Sequence, residues 1–288
     1  MTTAHMPTPA VQRPAAPPRR LVPRHSVLVR ITHWINVFCL SLLVMTGAQI
    51  FNAHPRLYWG EYGADYDRAF IQIDSLHNRD GWYGTFRIGS LTLRTTGVLG
   101  ASTENGALAP RAFPSWLTVP SYQDLATGRR WHFFFAWLFV INGLVYWLSG
   151  FVRRHFSRDL LPARPELSPR HLWHEVVEHA KLRFPTGEAA RRYNVLQKLS
   201  YLAVIFGLLP LMVLTGLTMS PGMDSAFHVL LDVFGGRPSA RTIHFICAVL
   251  LVAFVVVHVV MVIVSGLWNN LRSMVTGKYA IDVEEKAQ

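Results

Sequence analysis

Four long apolar segments restrict what this chain can fold into. They span approximately residues 31–51, 131–151, 195–219 and 243–268. Each reaches the roughly 20 residues that a helix needs to cross a bilayer. In hydrocarbon every backbone polar group needs an internal partner, so such segments form helices that pack together. The segments therefore predict an all-α membrane protein built on a four-helix transmembrane bundle.

The composition supports a membrane location and argues against nucleic acid as a partner. Hydrophobic residues make up 51% of the chain and charged residues only 16%, whereas soluble domains typically carry about 25% charged residues. The net charge of +11 comes largely from basic residues beside the apolar segments, which is typical of membrane orientation. No fold signature of nucleic-acid binding accompanies it. We expect the lipid bilayer, and no nucleic acid, among the partners.

The distribution of Lys and Arg predicts the orientation in the membrane. Nine lie in residues 152–194 and five in residues 1–30, against two in residues 220–242. Short loops rich in Lys and Arg face the cytoplasm. The counts predict a multi-pass protein of the bacterial inner membrane with both termini and the 152–194 loop in the cytoplasm. Residues 52–130 would then form a long periplasmic loop between the first two helices.

The predicted domain organisation is one membrane domain with two tails. Residues 1–28 are expected to form a disordered cytoplasmic tail, because their beginning is rich in Pro, Ala and Arg and has no apolar core. The transmembrane domain would cover residues 29–280, followed by a cytoplasmic tail over residues 281–288. Within the periplasmic loop, "TFRIGSLTLR" (85–94) alternates enough for a short strand or hairpin. A loop of this length is either a docking surface for a partner or a passive cap on the bundle.

Histidines occur inside three of the four apolar segments. They are His33 in the first, His132 in the second, and His244 and His258 in the fourth. A separation of fourteen residues brings His258 back to within about 40° of His244 around a helix and about 21 Å away along its axis. The fourth helix would therefore present one imidazole near each face of the hydrocarbon core, both toward the same neighbours.

The predicted orientation pairs these histidines by depth. His132 and His244 both lie where a helix begins on the periplasmic side, whereas His33 and His258 lie toward the cytoplasm. Two pairs of facing imidazoles in a helical bundle are what two bis-histidine haems b need. Without a C-x-x-C-H motif, the cofactors would be held by iron coordination and packing. The alternative is that the histidines only form hydrogen bonds between helices.

An arginine precedes three of these histidines by three residues. The stretches are "RITH", "RRWH" and "RTIH", with Arg30, Arg129 and Arg241. On a helix each guanidinium would lie one turn nearer the water, on roughly the same side as its histidine. Arginine binds carboxylates with two hydrogen bonds, so these residues are candidate partners of haem propionates. The alternative is that they are ordinary cationic residues at the ends of membrane helices.

With these motifs the chain resembles the bacterial di-haem cytochrome b family, also called the cytochrome b561 or nickel-hydrogenase cytochrome b family. The family includes membrane subunits of hydrogenases, formate dehydrogenases and thiosulfate-reductase-like enzymes. The resemblance lies in four stretches that cover the apolar segments and their edges. These are "RITHWINVFCLSLLVMTG" (30–47), "GRRWHFFFAWLFVINGLVYWLSG" (128–150), "YNVLQKLSYLAVIFGLLPLMVLTGLTMSPG" (193–222) and "SARTIHFICAVLLVAFVVVHVVMVIVSGLWNNLRSMVTGKY" (239–279).

The resemblance implies a di-haem subunit that relays electrons between a periplasmic catalytic or electron-transfer subunit and the membrane quinone pool. It implies His132 and His244 as ligands of a periplasmic-side haem, and His33 and His258 as ligands of a cytoplasmic-side haem. Similarity to the thiosulfate-reductase branch points to a molybdopterin-dependent periplasmic partner. Quinone would bind near Asn194 and Gln197, at the cytoplasmic start of the third segment. The alternative for both residues is helix capping.

Two other functions remain open from the sequence. One is a self-sufficient di-haem superoxide:quinone oxidoreductase. The other is a haem-free membrane anchor or a metal transporter. The sequence offers no residues for hydrolytic or nucleotide chemistry, because it contains neither a Gly-rich phosphate loop nor a suitable acid pair. We therefore predict no catalytic side chains and assign the chemistry to the cofactors.

Overall fold

The computed structural model describes residues 19–63, 67–183 and 193–282. Four helical segments in this part of the chain are long and apolar enough to cross a membrane. They are α1 (Val27–Asn52), α2 (Leu125–Val152), a composite segment (Val195–Thr218) and α8 (Arg237–Val264). The composite segment consists of α4 (Val195–Ala203), a π-helical turn (Val204–Leu208) and α5 (Leu209–Thr218).

Shorter elements connect the long helices or follow the last of them. They are α3 (Pro169–Ala180), α6 (Pro221–Asp224), α7 (Val229–Phe234) and α9 (Leu267–Thr276), with short 3-10 or π turns at Ser115–Leu117, Phe156–Leu160 and Arg164–Leu167. The strands are β1 (Arg19–Pro23), β2 (Arg56–Leu57), β3 (Ile71–Asn78), β4 (Gly81–Ile88), β5 (Leu91–Arg94), β6 (Ala101–Glu104), β7 (Ala107–Pro110) and β8 (Lys278–Asp282).

Three of the long helices begin several residues before the apolar segments. Ser26 caps α1 and its side chain accepts a hydrogen bond from the Val29 amide at 3.3 Å. Asp124 caps α2 in the same way through the Thr127 amide at 3.0 Å, and this bond lowers the pKa of the Asp124 carboxyl. Hydropathy locates only the apolar part of a helix, whereas the capping residues determine where it begins.

The fourth long helix also ends earlier than the apolar pattern predicts. α8 stops at Val264 because Gly266 adopts a φ of +110°, after which α9 begins. In the third segment, the π-helical turn ends at Leu208, two residues before Pro210. Proline has no N–H and its ring displaces the preceding turn, so the widened turn allows this helix to continue through a distortion.

Residues 53–124 carry strands, so the prediction of an all-α protein is wrong for this part of the chain. One sheet has the strand order β2-β3-β4-β5, and β6 pairs with β7 in a separate ribbon. A hairpin does occur near residues 85–94, where β4 pairs with β5. The alternation in β3 extends over only Ile71–Asp74, and Gly84 interrupts it in β4. Such short patterns do not stand out among the surrounding Gly, Pro and aromatic residues.

The four-stranded sheet packs on one end of the helical bundle. Its buried residues form a cluster with Phe51 at the end of α1, and Phe245 of α8 packs against this cluster. The hydroxyl of Thr242 on α8 donates to the Tyr58 carbonyl at 2.6 Å and is fully buried. We call this end of the bundle, with residues 53–63, 67–124 and 219–236, the sheet end.

The first and last described residues pair with each other at the opposite end. β1 and β8 form an antiparallel ribbon in register Arg19↔Asp282 to Pro23↔Lys278. The predicted disordered tail over residues 1–28 is therefore wrong from Arg19 onward, because Val22 and Ile281 are buried and give the ribbon an apolar side. Residues 1–18 and 283–288 of the two predicted tails lie outside the described residues. We call this end of the bundle the terminal end.

Candidate functional site

The four intramembrane histidines lie in two pairs, each with one member on α8. The ring centroids of His132 and His244 are 6.4 Å apart, with an interplanar angle of 62°. Those of His33 and His258 are 6.3 Å apart, also at 62°. The first pair lies toward the sheet end and the second toward the terminal end. The structure thus brings together the same partners that depth predicts from the sequence.

The separation within each pair fits a metal ion between two imidazoles. A metal–nitrogen bond of about 2.0 Å plus about 1.2 Å from nitrogen to ring centre places two such centroids about 6.4 Å apart. Aromatic rings that merely pack together can have the same separation. The hydrogen bonds of the rings therefore decide whether a ring nitrogen is available to a metal.

The Nδ1 atom of His132 has a defined partner. It lies 3.0 Å from the Oγ1 atom of Thr46 on α1. That hydroxyl already donates its only proton to the Leu42 carbonyl at 2.7 Å. We therefore assign the proton to Nδ1 of His132, which then donates to Thr46 and leaves Nε2 with a lone pair. Neutral imidazole in this tautomer is a ligand for haem iron.

His244 has the same arrangement on the other side of the pair. Its Nδ1 lies 3.0 Å from Oγ1 of Thr215 and 3.1 Å from the Met212 carbonyl. Thr215 donates its own proton to the Leu211 carbonyl at 2.7 Å. Both neighbours can only accept from Nδ1, so Nε2 of His244 is also the nitrogen with a free lone pair.

Each of these threonines is followed by a glycine that leaves space beside the imidazole. A Cβ atom built on Gly47 would lie 3.5 Å from Cε1 of His132, and one built on Gly216 would lie 3.5 Å from Cε1 of His244. The residues belong to similar stretches, "LVMTG" (43–47) and "MVLTG" (212–216). This internal repeat is the sequence signal for two contact residues that the histidine pattern alone does not reveal.

Aromatic side chains surround the pair at the terminal end. The ring of His258 stacks on Phe254, with centroids 6.0 Å apart at 19°. It also lies 6.5 Å from the ring of Tyr201, which in turn contacts Tyr193 at 5.6 Å. On the other side, His33 lies 5.6 Å from Trp34. Flat apolar walls of this kind suit a planar macrocycle.

Two buried arginine nitrogens at the terminal end have no hydrogen-bond partner among the described residues. They are Nε of Arg30 and Nε of Arg24. Arg30 donates through Nη1 to the Val275 carbonyl, and Arg24 lies 4.3 Å from the ring centroid of Tyr279. Burial, and next the charge of Arg24, lower the pKa of the intervening His25 to about 4. Unpaired donors in an electropositive site fit an anionic group such as a propionate.

The other two predicted propionate partners have different surroundings. Arg241 donates through Nη2 to the His54 carbonyl at 2.5 Å and lies 5.5 Å from the ring centroid of Phe51. It lines a cavity of about 650 Å³ at the sheet end. Arg129 lies 5.9 Å from the ring centroid of Phe133. Sequence spacing thus places the three arginines alike along their helices but does not give them equivalent contacts.

Asn194 and Gln197 form a reciprocal capping box at the start of α4. The Asn194 side chain accepts from the Gln197 amide at 2.9 Å, and the Gln197 side chain accepts from the Asn194 amide at 3.3 Å. Nδ2 of Asn194 lies 2.9 Å from Nε2 of His179. The capping box uses the carbonyl oxygens of both side chains, so only their NH₂ groups could serve a quinone carbonyl.

Comparison with known proteins gives one relative and one family. The chain is 27% identical over 238 residues to a protein of Azospira oryzae that is named as a protein-methionine-sulfoxide reductase subunit, YedZ1. The aligned region covers 83% of this chain and 89% of that protein. No solved structure matches the chain at a significant level.

The family match covers nearly all of the described structure. The model of prokaryotic cytochrome b561 matches residues 24–277. This range includes all four long helices, both histidine pairs and the sheet between α1 and α2. The chain therefore belongs to the prokaryotic cytochrome b561 family.

Proposed function

We propose that this chain is a di-haem b cytochrome that transfers electrons between membrane quinone and an oxidoreductase subunit bound at its sheet end. Its family and its four apolar helices make it a multi-pass membrane protein that binds haem b and carries electrons. This argues against the haem-free membrane anchor or metal transporter. The number of haems, their ligands, the quinone and the partner are the proposed part.

The observation that carries the proposal is that α8 contributes one histidine to each of two histidine pairs. Each pair has the ring separation that fits one iron ion, 6.4 Å for His132 and His244 and 6.3 Å for His33 and His258. Their α8 members are about 21 Å apart along the helix axis. Two cofactor sites at these depths would form an electron path between the two faces of the membrane.

The chain's own residues would hold and orient the cofactors. When bound, haem supplies reversible one-electron oxidation and reduction. The imidazoles of His33, His132, His244 and His258 would hold the iron through neutral ring nitrogens, without burying charge. Arg24 and Arg30 would hold carboxylates at the terminal end through their unpaired Nε groups. We also keep Arg129 and Arg241 as candidate propionate partners, at the sheet end.

The quinone would bind at the terminal end of the bundle. Its carbonyl oxygens need hydrogen-bond donors at the membrane edge, and the side-chain NH₂ of Gln197 is one that the capping box leaves available. Asn194 lies beside it, although its own NH₂ faces His179. His33 and His258 would hold the haem nearer this quinone, and His132 and His244 would hold the haem nearer the partner, where each haem would supply one-electron chemistry.

The partner would be a reductase on the periplasmic face. The relative from Azospira oryzae is named as a subunit of a protein-methionine-sulfoxide reductase, so a periplasmic catalytic reductase subunit is the acceptor that we propose. The density of Lys and Arg around residues 152–194 would place the terminal end in the cytoplasm. The sheet end would then face the periplasm of a bacterial inner membrane.

A spectroscopic assay of the purified full-length chain tests the haem assignment. We expect a dithionite-reduced b-type spectrum and two haems per chain by pyridine haemochrome analysis. His258→Ala and His132→Ala should each remove one haem and leave the other. A single haem that survives both substitutions would disprove the assigned pairs. A second assay tests the electron path. We expect a water-soluble quinol to reduce both haems of the native protein, and to reduce no haem in His258→Ala.

A further inference from the structure

Two buried threonines contact the histidines of only one of the two pairs. Thr46 and Thr215 are both fully buried, and each lies 3.0 Å from an Nδ1 atom of the sheet-end pair. In the described part of the chain, no hydroxyl lies within hydrogen-bond distance of His33 or His258, which are flanked by Trp34, Tyr201 and Phe254 rings instead. The two pairs therefore differ in their hydrogen bonding while agreeing in their separation.

The direction of the threonine contacts follows from counting protons. Each threonine hydroxyl donates to a carbonyl one turn earlier in its own helix, Leu42 for Thr46 and Leu211 for Thr215, at 2.7 Å in both cases. A hydroxyl that has donated its proton can only accept from a neighbour. Each imidazole therefore donates Nδ1–H, and its tautomer is fixed by the neighbouring helix.

A fixed Nδ1–H donor changes the properties of the opposite nitrogen. Donation from Nδ1 to an oxygen increases the electron density and basicity of Nε2. A more basic axial ligand stabilises ferric over ferrous iron, which lowers the reduction potential. The effect would act twice on the sheet-end pair, because both of its imidazoles donate to oxygen.

We propose that Thr46 and Thr215 are positioning residues that fix the tautomers of His132 and His244 and lower the reduction potential of the haem between them. This inference rests on the proposed function, since it needs a haem at that pair. The Thr-Gly repeat places the two residues on α1 and α5, so each ligand is oriented by a helix other than its own. The chain thereby sets the potential of one haem independently of the other.

The direct test is a redox titration of full-length, haem-loaded variants. Thr46→Val and Thr215→Val remove the hydroxyl at nearly constant volume. We expect both to keep two haems and to raise one of the two midpoint potentials. Changes beside a metal ligand typically alter its equilibria tenfold or more, and tenfold corresponds to about 59 mV for one electron. The other midpoint potential should not change.

Matched controls distinguish the effect of losing the hydroxyl from the effect of altered packing. Thr46→Ser and Thr215→Ser keep the acceptor and should keep the native potential. Thr218 is also fully buried on α5, but its hydroxyl donates to the Thr215 carbonyl at 2.7 Å. Thr218→Val therefore removes a buried hydroxyl that does not contact an imidazole, and it should leave both potentials at their native values.

The possible outcomes distinguish this inference from the proposed function. Unchanged potentials in both valine variants, or a shift of the haem that His258→Ala removes, would overturn the positioning role. If a valine variant loses its haem, the serine variant at the same position is the deciding measurement. Retention of haem in the serine variant supports the positioning role of the hydroxyl, whereas loss of haem in both variants overturns it. Native protein with no haem at the His132/His244 pair would instead refute the proposed function.

Discussion

At the scale of single residues, two adjacent residues on a neighbouring helix lie beside each imidazole of the sheet-end pair. Thr46 accepts a hydrogen bond from Nδ1 of His132, whereas a Cβ atom at Gly47 would lie 3.5 Å from the same ring. Thr215 and Gly216 do the same for His244. Two adjacent positions on one helix therefore contact an imidazole on another helix, and the threonine of each pair orients that ring.

The histidines could be predicted from the sequence, whereas the threonines have only the short Thr-Gly repeat as a signal. A histidine in an apolar segment is conspicuous because its burial needs a partner or a function. A threonine in a membrane helix satisfies its hydroxyl on its own backbone, as Thr46 and Thr215 do, so its presence needs no further explanation. Only the three-dimensional arrangement shows that the same oxygen has a second partner.

Asn142 provides a residue-scale test of the contact between α1 and α2. Its buried NH₂ donates to the Thr32 carbonyl at 2.9 Å and to the Asn36 side chain at 2.7 Å. Asn142→Ala should lower the free energy of unfolding by about 1 kcal/mol, a typical cost for hydrogen bonds between membrane helices. Because Thr32 precedes His33, the terminal-end haem should also bind more weakly.

Unfolding in detergent, followed by helical circular dichroism, measures the stability effect of Asn142→Ala. Haem content at limiting haem supply measures its effect on binding. Ser41→Ala is the control, since that exposed hydroxyl donates only to the Val37 carbonyl of its own helix. Equal stability of the two variants would contradict the role of Asn142 between the helices.

His25 gives the terminal end a predicted pH dependence. Burial and the charge of Arg24 lower its pKa from 6.5 to about 4. The unfolded chain therefore takes up this proton at a higher pH than the folded chain. The stability contributed by neutral His25 is complete above about pH 6.5 and is lost as the pH falls toward 4.

Thermal unfolding between pH 7.5 and pH 4.5 would measure this dependence. His25→Gln should flatten the decrease in the unfolding temperature on acidification. His77→Gln, at an exposed position on β3, should leave the decrease as steep as in the native protein. A native-like pH profile in His25→Gln would exclude His25 as its source.

At the scale of elements, the helices follow from hydropathy more closely than the strands follow from alternation. A membrane helix is marked by some twenty consecutive apolar residues, which no other local structure requires. The strands of the sheet are short and depend on close backbone approach at glycines. A Cβ on Gly84 would lie 1.9 Å from the Leu99 carbonyl oxygen. That contact is between residues fifteen positions apart and leaves no local pattern.

Gly84→Ala tests whether this close approach maintains the sheet. The added methyl group would overlap the Leu99 carbonyl oxygen and lie 2.7 Å from the Ala101 nitrogen, both backbone atoms that cannot rotate away. We expect the sheet to open and residues 56–110 to be cleaved rapidly by protease. Both haems should remain, since their ligands lie on the helices.

Gly89→Ala is the matched control for the sheet. Gly89 has a φ of +56° at the turn between β4 and β5, and a Cβ there would have no neighbour within 4 Å. The substitution should lower the free energy of unfolding by only about 1 kcal/mol, because alanine must adopt the left-handed backbone conformation there. Similar proteolysis of Gly84→Ala and Gly89→Ala would show that the close approach does not hold the sheet together.

At the scale of the whole molecule, the β1–β8 ribbon ties the two ends of the chain together. It joins residues that lie more than 250 positions apart in the sequence, in register Arg19↔Asp282. The sequence could not predict this contact, because Pro-rich and charged surroundings hide two short apolar patterns around Val22 and Ile281. Hydropathy predicts which segments cross the membrane, but the pairing of distant short strands requires the folded bundle.

Truncation before Lys278 should release the beginning of the chain. Without β8, the Val22 side chain loses its cover, and Arg24 loses the Tyr279 ring that lies 4.3 Å away. We expect trypsin to cleave at Arg19, Arg20 and Arg24 faster than in the native protein. Truncation after Asp282 keeps β8 and should leave the rate unchanged. Equal rates for the two truncations would show that the ribbon does not protect these sites.

The ribbon also predicts that both ends of the chain lie on one side of the membrane. Green fluorescent protein fused after Gln288 should fluoresce if that side is the cytoplasm. Alkaline phosphatase inserted after Trp116, which is 74% exposed at the sheet end, should be active. The reverse pattern would contradict the proposed orientation, and activity of both reporters fused at the same end would contradict a single orientation.

The pairing of β1 with β8 has a consequence for biosynthesis. The first strand leaves the ribosome before any of the four helices, yet its partner is made after the last of them. β1 therefore remains without its partner strand until all four long helices have been synthesised. Closure of the ribbon is then a late event in folding, and a nascent chain that stalls before Lys278 keeps its first strand unpaired.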